Sequence, residues 1–138
     1  MEAQDIQFSA EMSVSRRGSL DCSEIARTLA SRNGNQIYVT GGELRADDAA
    51  AFGKGAIDFI QQFSVDYAIL SVGAINSSNE FLDFHLCEAE FSRAAIKQAR
   101  ESCFVADSSK FDSDALIKVC GLDDVVHPDD VRLHRFVR

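Results

Sequence analysis

Apolar residues alternate strictly with polar ones from Ile6 to Val14 (Ile6, Phe8, Ala10, Met12, Val14), a period of two that predicts a half-buried strand. Asp21, with Glu24 three residues on, has the form of a capping box. Ile25 and Leu29 then line one helical face, and Asn33-Gly34 supplies the stop. QIYVT at 36–40 is a β-branched and aromatic run, hence a strand, and it ends at Gly41-Gly42, a tight turn. Between Asp47 and Phe63 the apolar set Phe52, Ala56, Phe59, Ile60 and Phe63 falls on one face of a helix. Gly53 and Gly55 weaken its first turns and argue for a later start. YAILSV at 67–72 is nearly all apolar, as in a strand covered on both faces. A loop follows from Gly73 to Glu80, then a helix from Leu86 to Glu101 with Phe91, Ala94, Ala95 and Ala99 on one face. CFVA at 103–106 predicts a buried strand, broken by Asp107-Ser108-Ser109-Lys110. A short helix near Asp114–Val119 and a strand-like LHRFV at 133–137 complete the chain.

Strands alternating with helices predict an α/β fold, a layered and mainly parallel sheet flanked by helices. Ligands of such sheets sit beyond the carboxyl ends of the strands. Three segments are expected there: TGGELR at 40–45, the loop after YAILSV leading to a helix with Glu88 in its first turn, and DSSK at 107–110. The 138 residues read as one domain, with no internal repeat or linker. With no long apolar run and no signal-peptide pattern, the chain reads as cytoplasmic.

The net charge of −8 narrows the partners. DNA affinity rests largely on Lys and Arg neutralising phosphates, and this chain offers only Arg16-Arg17 and a sparse tail of Arg132, Arg135 and Arg138. It is expected not to bind DNA alone. Cys22, Cys87, Cys103 and Cys120 form no C-x-x-C pair and read as small reduced residues. His85-x-Cys87 has no further ligands at metal-site spacing, so neither metal nor cofactor is expected.

TGGELR at 40–45, VDYAILSVGAI at 65–75, the CEAE helix start at 87–90 and VADSSKF at 105–111 occur in the order found in the C-terminal sensor domain of the DeoR repressors. Over residues 19 to 126 the chain resembles that family, and with LDF at 82–84 it looks most like the glycerol-3-phosphate regulon repressors. The resemblance implies a fold like ribose-5-phosphate isomerase and the coenzyme A transferases. It also implies a phosphorylated sugar or polyol as effector, such as glycerol 3-phosphate, and a homo-oligomer. DNA would be held by a winged helix-turn-helix that this chain does not contain.

The residues suit such a ligand. Gly41 and Gly42 leave backbone N–H groups open to an anion. Arg45 and Lys110 offer charge-assisted hydrogen bonds, and Glu43, Glu88, Asp107, Ser108 and Ser109 offer acceptors and donors for hydroxyls. Each also has a plain structural explanation as a turn residue, a solvated charge or a helix-start acid. The family's opening strand and glycine–threonine phosphate loop have no counterpart here; Arg17-Gly18-Ser19 stands where relatives carry Thr-Asn-Ser. The chain therefore reads as a truncated or diverged sensor. Two alternatives stay open. One is an isomerase or deaminase with Glu88 as base and Lys110 assisting, against which Val72-Gly-Ala-Ile-Asn76 lacks the acidic loop such enzymes use. The other is a scaffold that self-associates without ligand.

Overall fold

The computed structural model describes residues 11–14, 17–20, 23–31, 35–41, 51–122 and 131–136. Strands β1 (Glu11–Val14), β2 (Arg17–Leu20), β3 (Gln36–Val39), β4 (Val65–Ser71), β7 (Ala99–Asp107) and β9 (Val131–Phe136) form one sheet in the order β3-β2-β1-β4-β7-β9. β5 (Ala74–Ile75), β6 (Glu80–Asp83) and β8 (Ile117–Gly121) form a second sheet in the order β5-β6-β8. The helices are α1 (Ser23–Ala30), α2 (Lys54–Ile60) and α3 (Leu86–Gln98).

In the large sheet β2 pairs parallel to β3, and β4-β7-β9 pair parallel to one another. β1 is antiparallel to both of its neighbours, with Glu11 opposite Leu20 and Ile69. Five strands therefore run one way and β1 alone runs back. The sheet is mainly parallel, as the alternation of elements predicts, but its central strand is reversed. All pairs of the small sheet are antiparallel, a layer the sequence pattern did not reveal.

β4 shows why these residues choose their place. Ala68 and Leu70 are buried, while Tyr67 and Ser71 are exposed. The strand is thus sealed on one face only, not on both as its composition suggested. α3 packs against β4, β6, β7 and β8 through Ala89, Phe91, Ala94 and Ala95; its alanines allow close approach to the sheet. Phe81 stacks on Phe104 with ring centroids 4.2 Å apart, and Phe52 meets Phe91 edge-on at 6.0 Å. Each fully buried Phe contributes about 1.5–3 kcal/mol of transfer free energy.

Other expectations shift at their edges. Among the described residues the helix expected over 47–63 is helical only from Lys54 to Ile60, while 47–50 lie outside them. Gly53, its N-cap, has φ +100°, which a side-chain-bearing residue rarely adopts and which ends helix propagation backward. The helix expected to reach Glu101 stops at Gln98, because Ala99 is already extended and opens β7. The short helix expected near 114–119 is instead loop and strand. Ile117, Lys118 and Val119 alternate half-buried, exposed and buried, Ile117 and Lys118 pair with Asp83 and Leu82 of β6, and Val119 falls at a bulge in that pairing. The loop expected from Gly73 to Glu80 contains β5 and a tight turn. Residues 6–10, Asp21 and Asn33-Gly34, used to delimit the first strand and helix, lie outside the described residues.

Candidate functional site

Because β2, β3, β4, β7 and β9 point the same way, their carboxyl ends share one edge of the sheet. α3 ends directly where β7 begins, so its first turn returns to that same edge. Thr40-Gly41, Gly73, the first turn of α3 and Asp107–Lys110 all stand there. Gly42, Glu43 and Arg45 lie outside the described residues.

The turn after β7 is a short 3-10 helix, Ser108–Lys110. Asp107 caps it: its Oδ1 accepts from the Ser109 backbone N–H at 2.8 Å and from the Ser109 hydroxyl. These two residues, candidates for ligand contact, are engaged with each other in building the turn. Ser108 is exposed, and Lys110 is half-buried with no carboxylate partner for its ammonium group among the described residues. The Lys110 carbonyl accepts from the Ser113 hydroxyl at 2.6 Å, which holds the backbone beneath its side chain.

The loop after β4 is tied to this turn. Ile75 forms a parallel bridge with Phe111, and the Ser113 N–H donates to the Ile75 carbonyl at 3.3 Å. Lys110 is thus one residue from the bridge on one strand, and Gly73 two residues from it on the other. Gly73 donates its N–H to the Leu82 carbonyl at 2.9 Å, which brings the end of β6 alongside. Asp83, at that end, is 5% exposed, and its Oδ1 accepts from the Phe84 N–H at 3.0 Å. The sequence reading did not single out Asp83. A carboxylate in an apolar strand end beside a glycine was the signal available.

Glu88 is half-buried in the first turn of α3, where the helix dipole favours a carboxylate. A second anion placed beside it would be repelled. His85 is exposed at the N-cap, and the described residues hold no cluster of three or more His, Cys, Asp or Glu able to bind a metal. Among the described residues, Cys87, Cys103 and Cys120 form no disulfide.

Two features stand apart from this cluster. Gly41 is exposed at the end of β3, and its carbonyl lies 3.9 Å from where a Cβ on Gly55 would sit. β3 and β7 are separated by four inter-strand steps of about 4.8 Å, roughly 19 Å between strand axes. The structure thus joins Gly41 to the start of α2, and joins Lys110 to Gly73 and the end of β6. Next to Gly41, Thr40 is 5% exposed and its Oγ1 is buried without a hydrogen-bond partner among the described residues. Asn76, at the position where an acidic loop would be needed for isomerase chemistry, instead builds the β5–β6 turn. Its Oδ1 accepts from the Ser78 and Glu80 N–H groups, both at 3.0 Å, and its Nδ2 donates to Glu80.

No helix among the described residues is long and apolar enough to cross a membrane. The family profile described as the DeoR C terminal sensor domain matches residues 21–127. β1 and β2 precede that match. The chain is 35% identical over 107 residues to the glycerol-3-phosphate regulon repressor of Escherichia coli K12, covering 76% of this chain and 42% of that protein. It is 35% identical over 100 residues to the protein of that name from Haemophilus influenzae, covering 72% and 39%. To the HTH-type transcriptional repressor CsqR of Escherichia coli K12 it is 32% identical over 84 residues, covering 61% and 32%. The chain thus spans about a third to two-fifths of the length of these curated relatives. With the strand-end loops in family order and the family profile covering most of its length, the chain belongs to the DeoR C-terminal sensor domain family.

Proposed function

We propose that this chain senses a small phosphorylated polyol or sugar of the glycerol 3-phosphate class, binding it without chemical conversion as the effector domain of a transcriptional repressor. The observation that carries the reading is Lys110: a half-buried residue without a carboxylate partner among the described residues, at the carboxyl edge, on a turn held by Asp107 and Ser113. Lys110 and Ser108 would meet the phosphate through charge-assisted hydrogen bonds. Glu88 and Asp83, on the α3 side, would face the hydroxyls. Gly41 belongs to the other end of that edge, and Gly42, Glu43 and Arg45 lie outside the described residues, so no role in this contact is assigned to them. Against proton transfer stands Asn76, which is occupied in a turn where isomerase chemistry would need an acidic side chain.

A ligand present at about 100 times its dissociation constant stabilises the fold by roughly 2.7 kcal/mol. Glycerol 3-phosphate should therefore raise the melting temperature, and glycerol should not. Lys110→Met retains the apolar stem but removes the charge, so the free melting temperature should hold while the ligand-induced rise disappears. An undiminished rise in that variant would refute the assignment of Lys110.

One observation favours a second reading, a scaffold that self-associates without ligand. The phosphate loop that the family resemblance leads one to expect would follow a strand pointing to the carboxyl edge, whereas β1, in the centre of the sheet, points away from it. The absence of any shift with phosphorylated polyols or sugars would support that reading over the sensor.

A further inference from the structure

Phe84 is a large aromatic residue left 58% exposed beside the proposed effector site, although the core lies directly behind β6. Its ring is nevertheless held in place. A Cβ on Gly73 would fall 2.8 Å from both Cδ2 and Cε2 of Phe84, and 3.2 Å from Asp83 Oδ1. The ring thus rests on bare backbone that only glycine leaves open. Its own backbone is pinned by the hydrogen bond from the Phe84 N–H to the buried Asp83 carboxylate. Four residues on stands Glu88, and across β5 the Ile75–Phe111 bridge leads to Lys110. The ring is thus tied through Gly73 to the β5 segment that bridges to Phe111 beside Lys110, and it immediately precedes the helix that carries Glu88.

A phenyl ring there can accept no strong hydrogen bond. It contributes volume and an apolar face, so it discriminates ligands by length more than by hydroxyl pattern. We propose that Phe84, seated on Gly73, is the specificity-determining residue of the site and limits the effector to three-carbon phosphorylated polyols. A hexose phosphate brings three further hydroxylated carbons, which have to displace the ring from Gly73. The inference rests on the effector reading and adds a size limit to it.

The test compares the whole chain with Phe84→Ala and Phe84→Tyr, titrating each with glycerol 3-phosphate, glucose 6-phosphate and inorganic phosphate by calorimetry and thermal shift. The natural chain should bind glycerol 3-phosphate in preference to the other two. In Phe84→Ala, affinity for glucose 6-phosphate should rise about tenfold or more, while affinity for glycerol 3-phosphate falls, as when a pocket wall loses several carbons. Phe84→Tyr should keep the natural preference. The ratio of the two affinities is decisive, because a merely structural defect weakens both together. An unchanged ratio in Phe84→Ala, or a natural chain that prefers glucose 6-phosphate, would overturn the inference. If Lys110→Met still abolishes glycerol 3-phosphate binding in that case, the effector reading survives alone. A natural chain that binds none of the three overturns both.

Discussion

Thr40, 5% exposed, presents a buried hydroxyl oxygen with no hydrogen-bond partner among the described residues. An orphaned buried hydroxyl costs about 1–3 kcal/mol relative to one that is satisfied. Replacing Thr40 by Val keeps the β-branched shape suited to the end of β3 and exchanges the hydroxyl for a methyl group, whose burial adds about 0.8 kcal/mol. The variant should therefore be more stable by about 1–3 kcal/mol. At an unfolding entropy of about 2.1 cal/mol/K per residue, 138 residues give ~0.29 kcal/mol/K, so each kcal/mol is worth about 3 °C. Melting followed by circular dichroism should show a rise of roughly 3–10 °C for Thr40→Val. Thr40→Ser, which keeps the orphan and loses the methyl, should fall by about 1 kcal/mol. A Val variant that melts at or below the natural chain would mean that the hydroxyl has a partner in the folded protein, and the argument would fail.

Two further outcomes follow from the packing and the turns. Phe104, fully buried and stacked on Phe81, should cost about 3–5 kcal/mol when changed to Ala, read as a lower urea midpoint at constant slope; a loss below 1 kcal/mol would contradict the core assignment. Asn76→Ala strips the acceptor from two backbone N–H groups and the donor from Glu80, and should cost about 1–2 kcal/mol in the same experiment, whereas an unchanged midpoint would show that water replaces the side chain there.

The large elements were legible because their signals are long or strongly biased. QIYVT, the apolar run of β4 and the alanine-rich face of α3 all lie where periodicity placed them. The small antiparallel sheet was not, since β5 has two residues and its pairing depends on partners distant in sequence. Residues 114–119 were misread for a related reason. Leu116 and Val119 have helical spacing, but Leu116 is 91% exposed and only the alternation from Ile117 onward matters. Nor could the direction of β1 be read, because alternation gives the period of a strand and not its orientation. At the site, the sequence pointed to DSSK and Glu88 through their places at strand and helix ends. It could not tell that Ser109 is engaged with Asp107, or that Gly73 leaves room for Phe84. Both depend on the fold of short turns.

The reversed strand has a mechanical consequence. Among the described residues of the large sheet, every backbone hydrogen bond linking the β2–β3 half to the β4–β7–β9 half runs through β1, four residues long. A single short strand is the seam of the sheet. β1 and β2 are joined by only two residues, so they can zip together early as a hairpin, while closure against β4 must wait for more than forty residues to be gathered in. If the seam opens between β1 and β4, the sheet separates into a mixed β3-β2-β1 piece and a parallel β4-β7-β9 piece, each exposing a fresh strand edge able to pair with another chain. The proposed ligand contacts around Lys110, Gly73 and Phe84 all belong to the piece that carries β4 and β7, and can stay assembled while the other swings free.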